Sequence, residues 1–177
     1  MEVLQTKSIN ANGSKGNHKF TLSVTENSIS ESTNSSELSW EFKLSAVNNG
    51  FDWKDHDSGK LKYSLNIGGN TYSGIITDYD GKSTVTLKSG NITMDHDADG
   101  TKTISLSFSV TDGYNQYFTP GNASASDTMT LTAIDVGCVY IANASGVFEK
   151  YVPYIHNGTT FERYAPHIHD GSNWQRY

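Results

Sequence analysis

The residues Asp95-His96-Asp97-Ala98-Asp99-Gly100 place three carboxylates at alternate positions and close on a glycine, as the opening of a calcium-binding loop does. A complete loop would bring a bidentate glutamate at its twelfth position. Here that position is Leu106, on the apolar side of an alternating run, and neither flank has a helical period. Asp95, Asp97 and Asp99 are the nearest approach to a metal site, and no metal or other cofactor is assigned. Asp and Gly tolerate positive φ or bond their own backbone, so the same residues make a chain reversal.

A second metal pattern is His167-Ile168-His169, which in a trimer would bring imidazoles together around an axis suited to an octahedral transition metal. The two histidines stand where the preceding repeat has Tyr154 and His156, so drift between repeats accounts for them. Glycoside hydrolysis needs two carboxyl groups held at a set separation. Asp52, Asp55 and Asp57 flank Trp53 in a single loop. One loop does not fix an acid against a base, and no catalytic residue is assigned. Sugar binding asks for less: aromatic rings to stack on C–H faces, and amides or carboxylates to bond hydroxyls. Phe51, Asp52, Trp53, Tyr114, Asn115, Gln116 and Tyr117 supply both kinds and form the candidate ligand-binding set. The plainer account is that these rings fold back to cap the core.

The elements that would hold these loops read as strands. In Ser36–Val47, Leu38, Trp40, Phe42, Leu44 and Ala46 alternate with Ser39, Glu41, Lys43 and Ser45. That period of two marks a strand with one face buried. The same pattern covers His18–Thr25, Lys60–Ile67, Thr71–Tyr79, Ser83–Leu87 and Ser126–Ile134, and the two arms of Asn91–Val110. Gly68-Gly69-Asn70 and Asp80-Gly81-Lys82 are turn signals, and Lys88-Ser89-Gly90 reads as a break or bulge. Residues before about Asn17 read as an irregular lead-in. Short strands with turns between them predict an antiparallel β-sandwich, Ig-like or jelly-roll-like. Strand parity then puts the loops 48–59 and 111–125 and the turn at Asp80 at one end, with the Asp95–Gly100 turn at the other. Residues 1–137 are assigned to the sandwich.

Residues 138–177 differ. Tyr140–Pro153, Tyr154–Pro166 and His167–Tyr177 repeat one plan, two short aromatic arms around a turn rich in Asn, Asp and Gly. A lone two-stranded hairpin is marginal in water, so the units must share surfaces with each other or with a partner. Phe148, Phe161 and Trp174 recur on one side of the turn, and Tyr151, Tyr164 and Tyr177 recur farther on; these are the candidate tail contacts.

A net charge of −6 and a pI near 5.4 argue against nucleic acid, because neutralising phosphates needs a basic patch. No apolar run approaches the roughly 20 residues that span a bilayer, and the opening residues lack a basic-then-apolar signal. The single Cys138 excludes an intrachain disulfide.

From Phe20 to Ala133 the sequence resembles a β-rich domain of siphophage minor structural and tail-associated proteins. The resemblance rests on SELSWEFKLSA, LKYSLNIGGNTYSGIITDY, TVTLKSGNITMDHDADGTKTISLSFSV and DTMTLTAI. The repeats of residues 139–177 resemble the short aromatic tails that end such virion proteins. The resemblance implies a non-enzymatic protein at the surface of a phage particle, with other virion proteins as partners. In that setting the aromatic and polar residues of the two long loops lead to the expectation of host attachment through a bacterial glycan, the alternative being a purely architectural role, with a homo-oligomer compatible with either.

Overall fold

The computed structural model describes residues 3–47, 53–54, 61–79, 83–113, 119–135, 139–142, 144–151, 153–156, 158–163, 167–169 and 174–176. The strands before the repeats are β1 (Gln5–Asn12), β2 (His18–Ser30), β3 (Ser35–Ala46), β4 (Trp53–Lys54), β5 (Leu61–Ile67), β6 (Asn70–Ile75), β7 (Asp78–Tyr79), β8 (Val85–Asp95), β9 (Thr103–Asp112) and β10 (Ala123–Thr130). Two four-stranded antiparallel sheets result, ordered β1-β2-β3-β8 and β10-β9-β5-β6, with β4 and β7 paired apart from them. The chain is an all-β antiparallel sandwich.

Alternation decides what lies between the sheets. Phe20, Leu22 and Val24 of β2 face inward with Leu38, Trp40, Phe42 and Leu44 of β3. Leu61, Leu65 and Ile67 of β5 and Ile104, Leu106, Phe108 and Val110 of β9 meet them from the second sheet. Phe42 sits at the centre, with its ring 5.9 Å from Phe20, 5.3 Å from Tyr63 and 5.2 Å from Phe108. Trp40 packs on Tyr72 across the interface at 4.5 Å. Fully burying a side chain of this size contributes roughly 1.5–3 kcal/mol, so this layer is the main source of stability.

Several boundaries differ from the sequence reading. The stretch before Asn17 is not an irregular lead-in: β1 pairs with β2 along its whole length, from Gln5↔Glu26 to Asn12↔Lys19. Its signal is faint because β1 is an edge strand with only Ile9 buried, while Thr6 and Ser8 bond Thr25 and Ser23 on the outer face. The run Thr71–Tyr79 divides into β6 and β7, since β7 leaves the sheet to pair with β4. Lys88-Ser89-Gly90 lies inside the continuous strand β8 and pairs regularly with β3, and the register shift, as of a bulge, falls just before it at Leu87. Leu131 and Ile134 are buried but lie beyond β10.

The β5–β6 turn shows why glycine is needed. Gly68 and Gly69 have φ of 56° and 92°, the positive pair that a two-residue hairpin turn with matching twist demands. Strand ends agree with the expected parity: Leu61 faces Asp112 and Leu44 faces Val85 at one end, while Ser35 faces Asp95 at the other.

In the repeats, β11 (Val139–Ala142) pairs with β12 (Phe148–Tyr151), β13 (Tyr154–His156) with β14 (Phe161–Arg163), and β15 (His167–His169) with β16 (Trp174–Arg176). Each is a separate two-stranded hairpin. Phe148, Phe161 and Trp174 take equivalent positions, each opening the second arm, opposite Ala142, His156 and His169.

Trp40→Ala is expected to destabilise the sandwich by about 3–5 kcal/mol in denaturant unfolding, the usual cost of removing a buried aromatic. Gly74→Ala is expected to destabilise too, because a Cβ there would stand 2.4 Å from the Tyr63 hydroxyl. A melting temperature unmoved by either change would show that these faces do not meet as described.

Candidate functional site

Of the candidate ligand-binding set, Phe51, Asp52, Tyr114, Asn115, Gln116 and Tyr117 lie outside the described residues. Trp53 is placed only through its backbone, which pairs with Tyr79 in the β4–β7 ladder. Tyr164 and Tyr177 also lie outside the described residues, and Phe148, Tyr151, Phe161 and Trp174 are placed by backbone register alone. The base of the loop after β9 is well defined. The Asp112 carboxylate accepts from the Thr119 hydroxyl and from the Gly121 amide (3.0 Å), while the Asn122 side-chain oxygen accepts the Asp112 amide at 2.7 Å.

The turn after β8 is built by its neighbours. Asn34, held at φ 50°, donates its side-chain amide to the carbonyls of His96 and Asp97 at 3.2 and 2.9 Å. Asp97 accepts from Lys102 Nζ at 3.0 Å, and Asp99 accepts from the Thr101 amide and hydroxyl at 3.0 and 2.7 Å. Asp95 ends β8 opposite Ser35. Two of the three carboxylates are thus committed to protein donors. Among the described residues no three His, Cys, Asp or Glu side chains gather as a metal set.

Beside this turn is a polar cluster that the sequence reading missed. Glu26 is fully buried and accepts from Ser36 Oγ at 2.6 Å, Gln5 Nε2 at 2.7 Å, Thr132 Oγ1 at 2.8 Å and the Thr132 amide at 3.0 Å. Ser36 Oγ also meets His96 Nε2 at 2.7 Å, and His96 Nδ1 donates to the Gly100 carbonyl at 2.8 Å. Burial pushes the Glu26 carboxyl upward, but the donors from Ser36, Gln5 and Thr132 outweigh it and hold the group below the usual carboxylate range.

The composition Ser, His, Glu invites comparison with a hydrolase triad, but the order is wrong. A triad places histidine between nucleophile and acid, with the hydroxyl open to substrate. Here the hydroxyl lies between histidine and acid, and Ser36 is fully buried. This arrangement binds three segments of chain together and presents no nucleophile. A signal for it was available: Glu26 continues the inward phase of Leu22 and Val24, Ser36 that of Leu38 and Trp40, and His96 that of Ile92 and Met94.

The solvent-facing surface of the second sheet has a different character. Ser124, Ser109, Ser64 and Ser73 stand side by side across all four strands, with Ser126, Ser107, Asn66 and Thr71 in the next row. Small side chains leave a depression of about 540 Å³ between Lys62, Ser64, Ser73, Ile75, Ser109 and Thr111. It offers hydroxyls, one cation and the exposed apolar side chain of Ile75. Comparison with protein-family models, with curated proteins and with solved structures returns no match for this chain.

Because the Glu26 carboxyl is depressed in the folded protein, its contribution is present above the ordinary carboxylate range and is lost as pH falls through the folded value. Glu26→Gln is therefore expected to flatten the acid limb of a melting-temperature-versus-pH curve. Glu26→Ala, which strands the donors of Ser36, Gln5 and Thr132, is expected to cost about 3 kcal/mol at neutral pH. An acid limb unchanged in Glu26→Gln would remove this group as its source.

Proposed function

We propose that this chain is a non-enzymatic structural protein of a bacteriophage particle, exposed at the virion surface, which helps to attach the particle to a glycan of the bacterial surface. The phage setting is supported by the resemblance of residues 20–133 and of the repeats to siphophage proteins. The glycan reading is carried by one observation, the depression on the second sheet in which the side chains of Ser64, Ser73, Ser109 and Thr111 lie beside apolar surface and Lys62. The rows of Ser, Thr and Asn match the donor and acceptor pattern of sugar hydroxyls, and Ile75 offers an apolar rest for a C–H face. Lys62 favours a saccharide that bears a carboxylate or phosphate. The loop set around Trp53 and Tyr114–Tyr117 would add stacking rings in the same reading.

A second reading is architectural, with other virion proteins as the partners. It is favoured by the separate hairpins β11–β12, β13–β14 and β15–β16, since a two-stranded hairpin is marginal in water on its own. In this reading the repeats dock on the particle, and the sandwich is a spacer.

A glycan array probed with the full chain separates the two. Saturable binding to acidic glycans is expected, weakened at least tenfold by Lys62→Glu, since a hydrogen bond to a charged group is worth about 1.5–3 kcal/mol. Binding to other virion proteins alone, with no glycan retained, would leave the architectural reading in its place.

A further inference from the structure

We propose that β6 is the edge through which a second copy of this chain pairs, antiparallel and centred on Ser73, to make one sheet continuous across two protomers. The sandwich has four edge strands, β1 and β8 in one sheet and β10 and β6 in the other. Folded proteins normally blunt such edges with charge, bulges or cover. Three are blunted here. β1 and β10 close on each other through Gln5 Nε2, which donates to the Thr130 carbonyl at 3.0 Å, and through the ion pair of Lys7 with Asp127. β8 carries Lys88 and Asp95 and the register shift against β3. Among the described residues, β6 has none of these devices. Its sequence, Asn70-Thr71-Tyr72-Ser73-Gly74-Ile75, holds no charge and no proline, and Ile75 is 53% exposed.

The hairpin turn fixes which backbone groups of β6 are available. Ile76 donates its amide to the Leu61 carbonyl at 2.9 Å, so bonding to β5 falls on Ile76, Gly74, Tyr72 and Asn70 in alternation. The N–H and C=O groups of Thr71, Ser73 and Ile75 therefore point away from the sheet, and their side chains lie exposed on its outer face or, for Ser73 and Ile75, beside the depression.

The strand is complementary to itself. An antiparallel pairing centred on Ser73 sets Thr71 opposite Ile75 of the second copy, and Tyr72 opposite Gly74. Each outward-pointing residue then exchanges hydrogen bonds with another. The Thr71 methyl covers part of Ile75. No charged side chain lies on either strand, so a chain with a net charge of −6 meets its copy at a neutral seam. Such an interface is isologous and closes with two copies.

Sedimentation velocity on the full chain across a concentration series is expected to show a monomer–dimer equilibrium. Ile75→Lys should shift it to monomer with the circular dichroism and melting temperature of the parent. With Cys138 replaced by serine, Ser73→Cys should form a covalent dimer on mild oxidation. The pairing brings the two Cα atoms to about 5.5 Å, within the range of a disulfide. Ser64→Cys, one strand inward on β5, should not. A chain that stays monomeric at the highest concentration would overturn the proposal. So would a dimer that survives Ile75→Lys, which would locate association in the repeats, or cross-linking equal in Ser64→Cys and Ser73→Cys.

Discussion

A carboxylate inside a sandwich must be satisfied from several directions at once, and Glu26 imposes that requirement on this fold. An unpaired buried charge costs far more than any single contact returns. The donors come from Gln5 on the first strand, Ser36 on the third and Thr132 after the last strand of the sandwich. His96, in the turn after β8, joins through Ser36. The end of the sandwich can close only when all these segments arrive together. The apolar layer around Phe42 supplies most of the stability, and its alternation already forbids a one-residue slip. Glu26 adds a directional requirement, since its donors meet it in only one arrangement of strand ends.

The same cluster separates composition from chemistry. Serine, histidine and glutamate within hydrogen-bond distance would suit an acyl-transfer site if the hydroxyl faced solvent and the imidazole lay between it and the acid. Neither condition holds, and the cluster is a structural clamp. What faces solvent on the second sheet is the opposite kind of surface, broad, hydroxylic and almost free of charge. Surfaces of that kind set many modest hydrogen-bonding groups side by side.

The edges complete this division of labour. One side of the sandwich is closed by side chains that bridge β1 and β10, which protects both strands from adding to another sheet. On the other side no described strand pairs with the outer edge of β6, beside the depression. Pairing at that edge would set two such depressions on one continuous face, and two adjacent sites bind a polymeric ligand more tightly than either alone.

The sequence by itself determined the fold class and much of the strand set. Alternation in Leu38–Ala46 and Ile104–Val110 admits no helix, and the turn at Gly68-Gly69 admits little besides a hairpin. It also placed the repeats and their recurring rings at equivalent positions. It did not reveal β1, whose outer residues and single buried Ile9 give no strong period, nor the departure of β7 from the sheet. Both are decided by which neighbour offers a free ladder, and that is a tertiary matter. The cluster was half legible. The inward phase marks Glu26, Ser36 and His96 as buried, but they are separated by up to 70 positions (26 to 96), and only the folded register shows that they meet. Periodicity reports which way a side chain points within its own strand. What it points at depends on strand order, a bulge at Asn27 and a turn pinned by Asn34, and these exist only once the sheets have closed.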